Sequence, residues 1–218
     1  MKLMKKLLLL CMLCSTVMAT AQQAKFEKQW WAKPMVGLNV STLRDTGDDA
    51  QADIKLGLAA GLEAGCRLSE YIGGSAGIIY SRQGCKVNPV TDSGTYQLDY
   101  LNFPFLFNLY LTDELSFNIG VQAGFNLKAR MEVDTSSYGM KGDVGIDMKD
   151  GVNDWYFSLP IGVSFAAENG LSLDLRYSWG LSEVEKDQMT LMGKTIKNTS
   201  NRGRHSLVML TLGYRFEL

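Results

Sequence analysis

The sequence predicts an all-β fold: an eight-stranded antiparallel up-and-down transmembrane β-barrel, preceded by a cleaved signal peptide. Three observations predict it. Apolar residues recur at every second position through eight separate runs. The connections between those runs are alternately long and short. The N-terminus reads as an export leader.

The leader is "MKLMKKLLLLCMLCSTVMATAQQ": Lys2, Lys5 and Lys6, an apolar run from Leu7, then Ala19-Thr20-Ala21. A short apolar run ending in a small-x-small triplet is cut by a signal peptidase, here after Ala21. Cys11 and Cys14 each follow a leucine inside that run, so neither is a lipoprotein cysteine. The expected organisation is residues 1–21 as signal peptide, 22–33 as a short lead-in and 34–218 as the barrel. The 218-residue chain carries a net charge of −1. That balance offers no clustered basic surface, and nucleic acid is not an expected partner.

The first strand is "PMVGLNVSTL", with Val36, Leu38 and Val40 opposite Gly37, Asn39 and Ser41. After a polar stretch, "LGLAAGLEAGCRL" sets Leu56, Leu58, Ala60 and Leu62 against Gly57, Gly61, Glu63 and Arg67. Only "SEY" separates it from "IGGSAGIIYSRQG". A longer loop leads to "YLNFPFLFNLYL", and "TDE" turns into "LSFNIGVQAGFNLK". A polar segment from about Met131 to Asn153 precedes "WYFSLPIGVSF"; "AENG" turns into "LSLDLRYSWGL"; a last long loop reaches "HSLVMLTLGYRFEL". Each run is near the 9–11 residues that a tilted strand needs to cross a bilayer. Short turns at one end and long loops at the other are the habit of transmembrane barrels, whose long loops are extracellular. Cys66 and Cys85 fall near the far ends of adjacent antiparallel strands, on the order of 30 Å apart. A disulfide needs Cα atoms within about 7 Å, so none is expected between them.

The polar parity decides which face is inside. It is dominated by Gly, Ser, Asn and Gln rather than by the Lys, Glu and Thr of a solvated sheet, which suits the narrow lumen of eight strands. Glu63, Arg67, Lys128, Asp174, Arg176, Arg215 and Glu217 share that parity and nearly cancel in charge, so an interior ion-pair network is expected among them. The apolar parity carries no charge across the strand centres. Phe117, Ile119, Val121, Phe125, Leu173, Leu175, Leu210 and Leu212 are expected to face lipid, where an arginine costs about 2–4 kcal/mol at mid-bilayer. On the same reasoning Gln122→Glu should be tolerated inside. Aromatics gather near the strand ends, with Trp31, Tyr110, Tyr214 and Phe216 toward the turns and Tyr80, Tyr96, Trp155 and Trp179 toward the loops, as interfacial belts do.

"VGLNVSTL", "IIYSRQG", "YLNFPFLFNLYL" followed by "FNIGVQAGFNL", and "SLPIGVSF" with "LSLDLRYSWGL" resemble successive strands of the PorT-like outer-membrane β-barrel family of Bacteroidetes-type bacteria. The resemblance spans essentially all of the chain after the leader. It implies an eight-stranded outer-membrane barrel. The founding member's link to protein secretion has no motif here to carry it over.

Chemistry has few candidates. Neither "GDVGIDMKDG" nor "DTGDD" has the spaced ligands of a calcium loop, and no metal or other cofactor is expected. The lone histidine, His205, sits at the loop-side end of the last strand, where Ser206 with Asp134 or Asp187 would have to complete a hydrolytic set. The expected protein is therefore a monomeric outer-membrane barrel with a side-chain-filled interior. Its partners are outer-membrane lipid and a protein bound at the long loops. A small-ligand binder or narrow channel, soluble or membrane-bound, is the alternative; an enzyme using His205 is the weaker one.

Overall fold

Successive side chains of a strand point to opposite faces, so an unbroken two-residue alternation can bury one kind of residue only by curling the sheet around it. The computed structural model describes residues 27–44, 52–87, 94–134, 143–184, 188–191, 194–197 and 203–218. The eight main strands are β1 (Gln29–Arg44), β2 (Lys55–Arg67), β3 (Ile72–Val87), β4 (Gly94–Tyr110), β5 (Leu115–Asp134), β6 (Trp155–Ala166), β7 (Leu171–Glu183) and β8 (Arg204–Tyr214). Each pairs antiparallel with the next. β8 returns to pair with β1, Leu210 opposite Leu38 and Val208 opposite Val40, which closes the barrel.

The short turns share one closure. The backbone N–H of Leu68, Leu111 and Ala167 donates to the carbonyl of Ile72, Leu115 and Leu171 at 2.9, 2.9 and 2.8 Å. Inside each turn a polar side chain accepts the N–H of the residue that opens the next strand: Ser69 from Ile72, Thr112 from Leu115 and Asn169 from Leu171. These local bonds occupy backbone groups that the ladder leaves over at the hairpin ends. Gly170 sits at φ +88°, where a side chain would be strained.

The strands run 11 to 20 residues, and β1, β3, β4 and β5 extend well past the runs read from the sequence. The first begins at Gln29, inside the stretch read as a lead-in. β4 starts at Gly94 and β5 runs on to Asp134, where a short strand, Asp143–Asp147, pairs with it. Above the lipid belt both faces of a strand meet polar surroundings. Hydrophobic alternation fades there while the backbone ladder continues. The signal-peptide region lies outside the described residues, as does "DTGDD".

Outside is apolar and inside is polar. Val36, Leu58, Ile78, Phe105, Ile119, Val121, Phe157, Val163, Leu173, Leu175, Leu210 and Leu212 are exposed on the outer face, while Asn39, Glu63, Asn102, Gln122, Asp174, Arg176 and Thr211 are buried. Phe117 and Phe125 sit on the same outward parity, half-buried between neighbours. A water-soluble surface does not carry a continuous apolar band of this extent. Cys66 pairs in register with Gly74 near the turns and Cys85 with Tyr96 near the loops, so the two cysteines lie toward opposite ends of the barrel and no disulfide joins them.

The aromatic belts differ in one respect from expectation. Trp31 and Tyr110 are buried inside, whereas Trp30 and Tyr71 are exposed beside Tyr214 and Phe216 on the turn side. Parity explains it: Trp31 shares the inward parity of Lys33 and Met35, and Tyr110 that of Asn102 and Asn108. Trp155 and Trp179 are outward on the loop side, each half exposed.

Candidate functional site

The lumen is filled in layers. The turn-side layer is ionic. Lys33 Nζ lies 2.7 Å from Asp174 Oδ1 and 3.6 Å from Glu63 Oε1, and Arg176 Nη2 lies 2.9 Å from Glu63 Oε2. The four charges alternate in sign, Asp174–Lys33–Glu63–Arg176, and stitch β7, β1 and β2 together across the interior. Ser75 and Thr211 donate to Glu63 and Asp174 at 3.4 Å each, and Ser164 also donates to Asp174. Asn118 donates to Asn108, which donates to Ser75, so the polar network runs on toward β5. Paired and hydrogen-bonded in this way, four buried charges are tolerated where one alone would not be.

Of the seven residues expected in such a network, the structure brings Glu63, Asp174 and Arg176 together and adds Lys33, which falls one residue before the strand as read from the sequence. Arg67 is buried but serves the turn-side mouth. Its Nη1 is 2.9 Å from Asp113, its guanidinium lies 4.5 Å from the Tyr110 ring, and it also donates to the Glu70 carbonyl. Arg215 packs over the Trp31 ring at 5.3 Å. Glu217 is exposed at the chain end, 3.9 Å from Arg215, and is no part of the interior. Lys128 is also outside it. Asp99 pairs with Lys128 but Tyr100 pairs with Asn126, so Leu127 is the extra residue of a β-bulge. Leu127 and Lys128 are both exposed, and the inward position passes to Ala129.

Toward the loops, one side of the lumen is apolar: Met35, Ala59, Ile79 and Met209 pack together on the adjacent strands β8, β1, β2 and β3. The layer beyond it centres on Tyr156. Its hydroxyl accepts from Gln122 at 3.0 Å and Gln83 at 3.3 Å and donates to Asn102 at 2.7 Å. Tyr100 packs edge-on against Tyr156, with ring centroids 4.8 Å apart. A Cβ at position 124 would sit 1.9 Å from the Tyr156 ring, so the space of that ring is made by Gly124. The Gln122 amide is thus a donor to a hydroxyl that already donates elsewhere. Gln122→Glu would place an unpaired charge there, so the structure leads to an expected loss of stability where the sequence leads to tolerance. Tyr156→Phe is expected to leave two amide donors and one amide acceptor short of partners, lowering stability by about 1–3 kcal/mol in urea unfolding.

A cap closes the loop-side end. Leu98, Tyr100, Ala129, Val152, Tyr156 and Val184 form a buried apolar cluster, with Leu43 and Met148 packed against it. The segment that brings Val152 in, around a short 3₁₀ turn at Lys149–Gly151, is held by backbone bonds: Met148 N–H to Ala129 O at 3.0 Å, Asn153 N–H to Val184 O at 2.8 Å and Asn126 N–H to Asp154 O at 2.7 Å. No periodicity in the sequence marks this cap, because it is built from a loop.

His205 lies beneath the cap, fully buried, its Nε2 3.1 Å from the Tyr100 hydroxyl. Ser206 is on the opposite face of β8, its Oγ 3.1 Å from the Tyr177 hydroxyl. It cannot act with His205. The Asp134 side chain and Asp187 lie outside the described residues. Among the described residues no group of three metal-ligating side chains comes together.

A closed eight-stranded barrel with an apolar exterior and a polar, packed interior defines an integral outer-membrane protein. The chain belongs to the family described as outer membrane protein beta-barrel domain, whose model matches residues 20–185. Its location is the cell outer membrane. No curated protein matches it in sequence. Among solved structures it is similar to Neisserial surface protein A, with 15% identity over 88% of this chain and 100% of that one and a TM-score of 0.50. It is also similar to OprG of Pseudomonas aeruginosa (10% identity, 86% and 96% covered, TM-score 0.48) and to Ail of Yersinia pestis (16%, 85% and 98%, TM-score 0.47). At these identities the likeness is one of fold.

Proposed function

We propose that this protein is a non-conducting membrane anchor: a monomeric barrel that presents its long extracellular connections to a protein partner and performs no catalysis. One observation carries the reading. Among the described residues the lumen is packed with side chains: Met35, Ala59, Ile79 and Met209 form an apolar cluster on one side of it, the polar residues Asn102, Gln122 and Arg176 are buried on the other, and Leu98, Val152 and Val184 cover the loop-side end. An ion cannot pass an interior packed in this way without shedding its hydration. The turn-side interior narrows to a void of about 20 Å³ beside Lys33 and Glu63, room for a water and not for a substrate. This speaks against the small-ligand and channel alternatives. His205, under the cap with an aromatic partner, lacks the access that hydrolysis requires.

The outward Phe117, Ile119, Val121, Phe125, Leu173, Leu175, Leu210 and Leu212 are the lipid contacts in this reading. The finer kinship, to PorT-like barrels, rests on the strand motifs quoted above, and removal of residues 1–21 as a signal peptide rests on the leader pattern. The test is single-channel recording in planar bilayers. The purified protein is expected to give no conductance steps. Regular unitary steps from the wild-type chain would overturn the reading.

A further inference from the structure

The outer face of the seam between β1, β8 and β7 holds an arrangement that the barrel itself does not require. Arg44 and Arg204 are directly opposite each other in the β1–β8 register. Both lie on the outward parity, Arg204 exposed and Arg44 half-buried. Like charges in directly opposed cross-strand positions repel and are ordinarily avoided. The Arg44 guanidinium lies 4.8 Å from the ring of Trp179, which is itself half exposed on the outer surface. That stacking leaves the guanidinium poorly satisfied: Nη2 makes one long bond, 3.4 Å, to the Gly180 carbonyl. Nε is buried with no hydrogen-bond partner among the described residues. Among the described residues, the acid in register with this pair is Glu183, opposite Arg204. The ladder is irregular at this point, with Ser206 opposite Trp179 but Arg204 opposite Glu183, and such irregularities commonly re-aim side chains beside functional sites.

Height in the membrane names the partner. Trp179 and Trp155 are interfacial residues of the loop-side belt, and rings of this kind sit at the head-group level of the bilayer. The loop side is the extracellular side. Arginines stacked on such a ring lie among the head groups of the outer leaflet. A guanidinium recognises a phosphate through two parallel N–H donors, with geometry that a lysine lacks. The opposite end of the barrel has the reverse character, with Glu70, Asp113, Glu114, Glu168 and Glu217 about the turns. We propose that Arg44 and Arg204, with Trp179 as a platform, bind the phosphate of a phosphorylated glycolipid in the outer leaflet. The anion would sit between the two guanidinium groups and relieve their repulsion. The assignment rests on the outer-membrane placement and is independent of the closed lumen.

The test uses the full-length exported chain, folded in phosphatidylcholine vesicles with or without bisphosphorylated lipid A, and reads retained lipid by native mass spectrometry. Wild type is expected to hold about one lipid A per barrel and to unfold at a higher temperature in its presence. Dephosphorylated lipid A and inorganic phosphate should do neither. Arg44→Gln and Arg204→Gln should each weaken retention about tenfold. Paired Arg→Lys replacement should recover only part of it. Heat-modifiable migration of every variant on a gel reports separately on the barrel. Retention unchanged in the Gln variants, or equal retention of the dephosphorylated lipid, overturns the proposal while leaving the barrel reading intact. Should a Gln variant fail to fold, the wild type decides alone: no phosphate-dependent rise in its unfolding temperature overturns the proposal.

Discussion

Glu63→Ala is expected to destabilise the barrel by about 3–5 kcal/mol, because it strips both Arg176 and Lys33 of a carboxylate inside the packed lumen. The same physics predicts a contrast. Lys33→Met, Glu63→Gln, Asp174→Asn and Arg176→Met combined remove all four charges at once and leave no charge uncompensated. The quadruple variant should lie much closer to wild type than the single one, since replacing a whole buried ion network with residues of similar volume is often neutral. Urea unfolding of the two proteins in the same detergent checks both statements. A Glu63→Ala variant as stable as wild type would mean that the quartet is hydrated and that the lumen is open on the turn side.

Val121→Arg is the second large effect. Val121 is exposed on the outward face of β5, opposite Phe105 and between the turn at Leu111–Glu114 and the aromatic row at Phe125 and Trp155. An arginine there meets the hydrocarbon centre and is expected to cost about 2–4 kcal/mol. A refolding titration into vesicles, scored by the folded band on an unheated gel, reads the loss. The same replacement at a rim position such as Leu127, beside Lys128, should cost about 1 kcal/mol or less, because depth sets the penalty. Equal effects at the two positions would contradict a membrane in which Val121 is central.

What the residues disclosed in advance divides along physical lines. In the strand centres the outside is uniformly apolar and the inside uniformly small or polar, so alternation alone orients Phe117, Ile119, Val121, Leu173, Leu175, Leu210 and Leu212 and also Glu63, Asp174 and Arg176. Period two fails where the ladder slips. The bulge at Leu127 turns Lys128 outward, and a bulge leaves no mark in a hydrophobicity pattern. Glu217 lies at the turn-side mouth, in the short strand Phe216–Glu217 that pairs with Trp31 and Ala32, where parity no longer implies enclosure. Lys33 was legible in principle, since Trp31, Lys33 and Met35 continue the inward parity of Asn39 and Ser41. Pro34 has the residue type of a strand start, yet β1 pairs on both sides of it, with Lys33 opposite Glu63 and Pro34 opposite Leu62. Trp31 and Tyr110 have the residue type of an interfacial belt, but their parity places them inside. The cap of Val152 and Val184 was not readable. It joins residues far apart in the chain from segments with no periodicity, and only the closed barrel gives them a common place to pack.

The measurement that bears most directly on the account is cell fractionation of the native protein followed by electrophoresis of heated and unheated samples. A closed outer-membrane barrel predicts recovery in the outer-membrane fraction and a band that migrates differently when it is not boiled, since a barrel of this kind resists detergent unfolding until it is heated. Recovery in the soluble periplasm, with one mobility under both conditions, would contradict it.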